Sequence, residues 1–118
     1  MFKIRVEASF SSAHNLRRYK GKCEALHGHN WKVEAVVSSA SLDKVGMVMD
    51  FKVLKALLNE LLETFDHAYL NRIPPFDKVN PTSENLAFHI HKTLKKQVPG
   101  LFSVTVWENP TSCATYEE

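Results

Sequence analysis

Hydrophobic and polar positions alternate from the start of the chain. Phe2, Ile4, Val6, Ala8 and Phe10 share one parity and Lys3, Arg5, Glu7 and Ser9 the other, which predicts a strand over residues 2–10 with one buried face. Trp31, Val33, Ala35 and Val37, opposed by Lys32 and Glu34, repeat the pattern. From Phe51 the period lengthens. Phe51, Leu54, Leu58, Leu61 and Phe65, joined by Leu57 and Leu62, form the stripe of an amphipathic helix with Asp50 at its N-cap. A second helix is predicted from Ser83 to Gln97 on the stripe Leu86, Ile90 and Leu94, bounded by Pro81-Thr82 and Pro99-Gly100. Phe102, Val104 and Val106 give a third strand, and residues 114–116 a short fourth.

The order strand, strand, helix, helix, strand, strand is not a run of βαβ units. It predicts an α+β fold, a four-stranded antiparallel sheet with two helices on one face, in a single domain over residues 1–118. So small an open sheet exposes two edges, and self-association would bury them, so a homo-oligomer is expected. Residues 66–81 (DHAYLNRIPPFDKVNP) carry three prolines and no usable period. Loops beyond about 12–15 residues in compact domains tend to be functional, so this stretch is a place to look for chemistry.

Composition narrows the class. The 118 residues are 44% hydrophobic and 24% charged, an ordinary soluble balance. No apolar run approaches about 18 residues, so no membrane span is expected. The alternating N-terminus does not read as a secretory signal, and two cysteines without an export signal read as reduced thiols in a cytoplasmic protein. The net charge is +2, with no basic stripe interleaved with aromatics, which excludes a nucleic-acid partner. Six histidines change the picture.

His27-Gly28-His29 leads into the second strand, where residues two apart point the same way. Antiparallel pairing of the first two strands sets residues 10–14 beside residues 27–31 and brings in His14, on the Phe10 parity. Three histidines with an open fourth position make the pattern of a catalytic zinc. His89 and His91 lie two apart on a helix, face nearly opposite ways, and read as surface or partly buried residues. Cys23, four residues before His27, has two readings: a fourth ligand closing a structural site, or a base or nucleophile whose thiolate the cation, Lys20 and Lys22 favour. Cys113 reads as a packing residue near the C-terminal strand.

Glu108 keeps the parity of Phe102, Val104 and Val106, so its carboxylate faces the apolar side or its boundary and needs a partner. That partner is a lysine or arginine of the chain, or a ligand with two adjacent N–H donors. Asp66-His67 reads either as part of a proton shuttle or as a helix C-terminal turn. Thr82 and Ser83 read as helix capping, where exposed amides also bind polar ligand atoms. Arg17, Arg18, Lys20 and Lys22 form a phosphate cradle or a solvated basic loop.

Taken in order, His14, the C-x-x-x-H-G-H of Cys23, His27 and His29, the F-D-H of Phe65–His67, the P-T-S-E of residues 81–84 and Glu108 span essentially the whole chain. The set resembles the 6-pyruvoyltetrahydropterin synthase family, and within it the 6-carboxy-5,6,7,8-tetrahydropterin synthase branch of the queuosine (7-deazaguanine) pathway. The resemblance implies the tunnelling fold, in which three subunits close a twelve-stranded barrel, often stacked into a hexamer. It implies Zn2+ on His14, His27 and His29, Cys23 as catalytic thiolate, and Asp66 with His67 as its partners across a subunit interface. Glu108 would anchor the pterin ring, with Thr82 and Ser83 close to it. The implied substrate is 7,8-dihydroneopterin triphosphate, losing triphosphate and, in the carboxy branch, acetaldehyde. Relatives with an aldolase-like activity carry Glu immediately before H-G-H; here that residue is Leu26, and Glu24 is out of register. A 6-pyruvoyl product, and a non-enzymatic oligomer with a structural zinc, stand as alternatives.

Overall fold

The computed structural model describes residues 1–118. The N-terminal alternation continues past Phe10, because Ser12 and His14 keep its parity, and strand β1 spans Phe2–His14. Strand β2, His27–Ser39, pairs antiparallel with it along its whole length, with Phe10 opposite Trp31 and His14 opposite His27. The predicted register therefore holds, and the His-Gly-His motif lies inside β2 instead of leading into it.

Helix α1 runs from Phe51 to Leu62 and helix α2 from Ser83 to Lys95. Each begins where a side chain accepts an otherwise orphaned amide. Asp50 takes Lys52 N–H at 2.8 Å and Thr82 takes Asn85 N–H at 3.0 Å, contacts worth about 1 kcal/mol apiece. Strand β4, Leu101–Asn109, pairs antiparallel with β2, and β5, Ser112–Glu117, pairs antiparallel with β4. Both helices cover one face of the sheet. Val6, Phe10, Trp31, Val33, Ala35, Val37, Val104 and Val106 from the strands meet Leu54, Leu58, Leu62, Leu86, Ile90 and Leu94 in one core. The opposite face is polar: Glu34 accepts Trp107 Nε1–H at 3.0 Å and lies 3.5 Å from Lys32 and 3.7 Å from Arg5.

Four features depart from the sequence reading. The sheet has five strands, ordered β3-β1-β2-β4-β5, because Ala68–Tyr69 (β3) adds parallel to Ser12 and Ala13. The proline-rich stretch is thus built against β1, and it continues as a 3₁₀ turn over Leu70–Arg72. In β4 the register slips at Phe102, so Leu101 takes the buried place and Phe102 turns toward Lys3, whose ammonium lies 4.1 Å from its ring centroid. Phe2 and Phe51 end the predicted stripes but are 48% and 58% exposed, and Cys113 is exposed on the edge strand instead of packed.

No helix is long and apolar enough to cross a membrane.

Candidate metal centre

The two longest strands deliver the imidazoles. His14 closes β1, its register partner His27 opens β2, and His29 follows two residues on. The fourth group comes from β4, where a second register slip leaves Glu108 unpaired between Trp107 and Asn109. Glu108 keeps the parity of Val104 and Val106, so its carboxylate lies on the face that carries the imidazoles. One ligand atom from each of His14, His27, His29 and Glu108 lies within 4.8 Å of all the others. Glu108 therefore has as its nearest polar partners two histidines and not a lysine or arginine: its Oε1 is 3.0 Å from His29 Nε2 and 3.3 Å from His14 Nε2.

The outer hydrogen bonds decide what the inner atoms are. His14 Nδ1 is 2.8 Å from the Pro81 carbonyl and His27 Nδ1 is 2.9 Å from the Ala25 carbonyl. A carbonyl only accepts, so each Nδ1 carries a proton, and in the neutral ring each Nε2 then presents a lone pair. Those two Nε2 atoms stand 3.1 Å apart, lone pair to lone pair, with a carboxylate oxygen beside them. His29 Nε2 is buried, with the Glu108 carboxylate 3.0 Å away as a polar neighbour. Such a set of inward-facing donors fits a divalent cation. Carbonyl contacts at the far nitrogens are the usual means of fixing the tautomer and orientation of a metal-bound histidine. Desolvation lowers the His29 pKa below its usual 6.5, with Glu108 opposing the shift and His14 and His27 adding to it, so the ring is neutral and ready to ligate at neutral pH.

The remaining predicted residues are not among the clustered ligand atoms. Cys23 is exposed, on the loop between β1 and β2, and is not one of the clustered ligands. Asp66 Oδ1 accepts Ser11 N–H at 2.9 Å, and His67 N–H donates to the Ser11 carbonyl at 2.6 Å. His67 has a positive φ of 52°, uncommon for a non-glycine residue, and its side chain is 83% exposed. It lines an open pocket of about 420 Å³ with Ser11, Ala13, Gly28, His29 and Asn30. Asp66 and His67 are 3.7 Å apart, beyond a hydrogen bond, so they do not form a relay by themselves. Thr82 caps α2 and Ser83 is its first residue, next to the Pro81 carbonyl that holds His14.

Of the basic residues near Cys23, Arg17 is structural. Its guanidinium donates to the carbonyls of Asn71 and Phe76. Arg18, Lys20 and Lys22 are exposed. The sequence reading missed the three asparagines Asn15, Asn71 and Asn80, which link the loop around Cys23 to the proline-rich segment. Asparagine in a loop is too common for composition to flag it.

His91 is fully buried, deeper than its pattern predicted, with its ring against Tyr116. His89 sits between the rings of Phe65 and Phe76. Burial lowers the pKa of both below 6.5, as it does for His29. An unfolded histidine keeps the higher value, so the unfolded chain binds more protons as pH drops below about 6.5. The stability these residues contribute is complete above that pH and is lost as pH falls toward the lowered folded values. The urea midpoint of chelator-treated protein should therefore decrease between about pH 7 and pH 5, and less so in His91→Leu. A midpoint flat across that window would contradict the assignment.

Comparison with known proteins agrees with the geometry. Residues 3–118 match the family model described as 6-pyruvoyl tetrahydropterin synthase. A 6-carboxy-5,6,7,8-tetrahydropterin synthase from Synechocystis sp. is 44% identical, over 98% of this chain and 93% of its own. A dihydroneopterin monophosphate aldolase from Pyrococcus furiosus is 37% identical, over 90% of this chain and 89% of its own. The solved structure of Caenorhabditis elegans 6-pyruvoyl tetrahydropterin synthase superposes with a TM-score of 0.86 at 28% identity, covering 99% of this chain and 95% of that one. With fold and sequence matched nearly end to end, the chain belongs to the 6-pyruvoyl tetrahydropterin synthase family.

Proposed function

We propose that this chain is a zinc-dependent lyase that converts 7,8-dihydroneopterin triphosphate into 6-carboxy-5,6,7,8-tetrahydropterin, releasing acetaldehyde and triphosphate with uptake of one water. Residues 1–118 act as a single pterin-binding domain in the cytoplasm, in queuosine (7-deazaguanine) biosynthesis. The observation that carries the reading is the cluster of inward-facing imidazole nitrogens with a thiol outside it. Cys23 is not among the clustered ligand atoms, which leaves the thiol free for chemistry beside the metal, and the Glu108 side chain is one-third exposed and open to a ligand. The carboxy product is favoured over the pyruvoyl one by the 44% identical relative that bears that name. Against the aldolase activity, Leu26 precedes the His-Gly-His motif and is exposed, and Glu24 has its carboxylate committed to Leu16 N–H at 3.2 Å.

His14, His27 and His29 would hold the metal, which would supply the Lewis acidity that acidifies the side-chain hydroxyls of the substrate and offsets enolate-like charge. Cys23 moves a proton at the side-chain carbons, as a general base needs to do near neutral pH. His67, with Asp66, relays protons to it from a neighbouring subunit. With the metal on the three histidines, the Glu108 carboxylate would turn from His14 and His29 to accept the adjacent N–H donors of the pterin in bidentate fashion, which holds the substrate side chain within reach of the thiol. Thr82 and Ser83 line the ring at the start of α2.

A homo-oligomer supplies the neighbour. The subunit is elongated, 54 × 26 × 24 Å, and β3 covers only Ser12 and Ala13 of the outer edge of β1, while β5 leaves the far edge of the sheet open. These edges run in opposite directions, so copies that pair β5 to β1 extend one antiparallel sheet. Three copies would close a twelve-stranded barrel with the polar face inward, the tunnelling fold, alone or stacked as a hexamer.

Acetaldehyde separates the branches. With zinc-loaded protein and 7,8-dihydroneopterin triphosphate, a coupled alcohol dehydrogenase should oxidise NADH in step with triphosphate release. Triphosphate release without acetaldehyde would place the activity in the pyruvoyl branch.

A further inference from the structure

The segment carrying Asp66 and His67 follows the outer edge of β1 past the point where backbone pairing ends. Residues of one parity along that edge are met in turn. Ser11 exchanges bonds with Asp66 Oδ1 and His67 N–H, and Ala13 is paired with Tyr69. Beyond the sheet, side-chain amides replace the backbone. Asn15 N–H donates to Asn71 Oδ1 at 3.0 Å, and Asn71 Nδ2 donates to the Asn15 carbonyl at 2.8 Å. Asn80 treats Arg17 alike, accepting its N–H at 2.8 Å and donating to its carbonyl at 2.9 Å. Each asparagine amide offers the same donor and acceptor as a peptide group, so each acts as a one-residue strand.

Asn15 passes this constraint to the thiol loop. Its side-chain Oδ1 accepts Tyr69 O–H at 2.7 Å, and its Nδ2 donates to the Glu24 carbonyl at 3.1 Å. Glu24 closes the link through both backbone and side chain. Its N–H donates to the Leu16 carbonyl at 2.9 Å, and its Oε1 accepts Leu16 N–H at 3.2 Å. Glu24 is bonded directly to Cys23, and Asn15 directly to His14. Asn71 is only 8% exposed, so its bonds are shielded from competing water. The loop between Arg17 and Glu24 is otherwise exposed and carries positive φ at Arg18, Lys20 and Gly21. Inside it Lys22 N–H donates to the Tyr19 carbonyl at 3.1 Å, and its two ends tie this turn to the body of the chain.

We propose that Asn71, acting through Asn15 and Glu24, is a positioning residue that fixes the Cys23 thiol relative to the metal held by His14, His27 and His29. This rests on the reading of Cys23 as the proton-moving group. A displacement near 1 Å at a reacting atom costs on the order of 100-fold in rate. In Asn71→Ala, kcat should fall about 10- to 100-fold with KM changed less than about threefold and zinc affinity held within about twofold. Glu24→Ala, on the accessible side of the bracket, should do the same. Glu24→Gln should restore most of the rate, because its Oε1 still accepts Leu16 N–H.

A readout independent of turnover is the alkylation of Cys23 by iodoacetamide in a Cys113→Ser background, with and without zinc. A thiol held beside the cation should alkylate several-fold differently on zinc loading. That response should collapse in Asn71→Ala and Glu24→Ala and return in Glu24→Gln. If the parent shows the zinc response but does not turn over the pterin, and the response collapses as described, the bracket stands and the proposed activity fails. Folded Asn71→Ala and Glu24→Ala proteins that keep both kcat and the zinc response would overturn the proposal. So would a Glu24→Gln protein as impaired as Glu24→Ala, because the charge beside His27, 3.8 Å away, would then be what matters.

Discussion

His27→Ala is expected to lower zinc affinity by at least about 10³-fold, beyond the 10–100-fold typical of losing an outer-shell partner. The imidazole removed is one of three that converge within 4.8 Å. Its effect on the metal-free fold should be small or favourable. His14 and His27 set their Nε2 atoms 3.1 Å apart with the Nδ1 protons committed to carbonyls, a repulsion that a bound metal ion relieves. Metal-free His27→Ala should thus melt no lower than the metal-free parent, while the zinc-induced rise in Tm should disappear. Equilibrium metal titration with a competing chelator and paired melting curves would check both. A metal-free variant that melts well below its parent would show the cluster to be held by ordinary hydrogen bonding, contrary to the tautomers assigned above.

Cys23→Ala carries the second large effect. As the proton-moving group, the thiol contributes about 10²- to 10⁴-fold, so kcat should fall by that factor while zinc stoichiometry, Tm and oligomeric state stay unchanged. The residue is exposed and makes no part of the core, so nothing structural should compensate or confuse the result. Parallel loss of zinc and of folded protein would instead support a structural site with a thiolate ligand. Quantified zinc content alongside steady-state rates separates the two.

Much of this arrangement was legible in the chain. The periods of β1, β2 and both helices are long and regular, and each is fixed by one buried face. Once β1 and β2 pair antiparallel, parity alone brings His14 beside His27 and His29. What stayed hidden depends on pairing and not on period. The slip at Phe102 exchanges it for Leu101 and is set by how β4 meets β2, whereas Glu108 takes the face that its parity with Val104 and Val106 predicts. Strand β3 is two residues long, too short for any periodicity, and the asparagine amides that extend its work are invisible to hydrophobic patterning. Phe2 and Phe51 fit their stripes yet lie at the ends of their elements, where the subunit has no layer left to cover them. The proline-rich stretch drew notice for its length, and the structure gives it a defined role along the edge of β1 that its composition did not foretell.

The most direct test is the mass of the pterin formed when zinc-loaded protein is incubated with 7,8-dihydroneopterin triphosphate. The account predicts 6-carboxy-5,6,7,8-tetrahydropterin together with an equal amount of acetaldehyde. A 6-pyruvoyl product, formed by elimination alone, or no turnover with zinc bound to His14, His27 and His29, would contradict it.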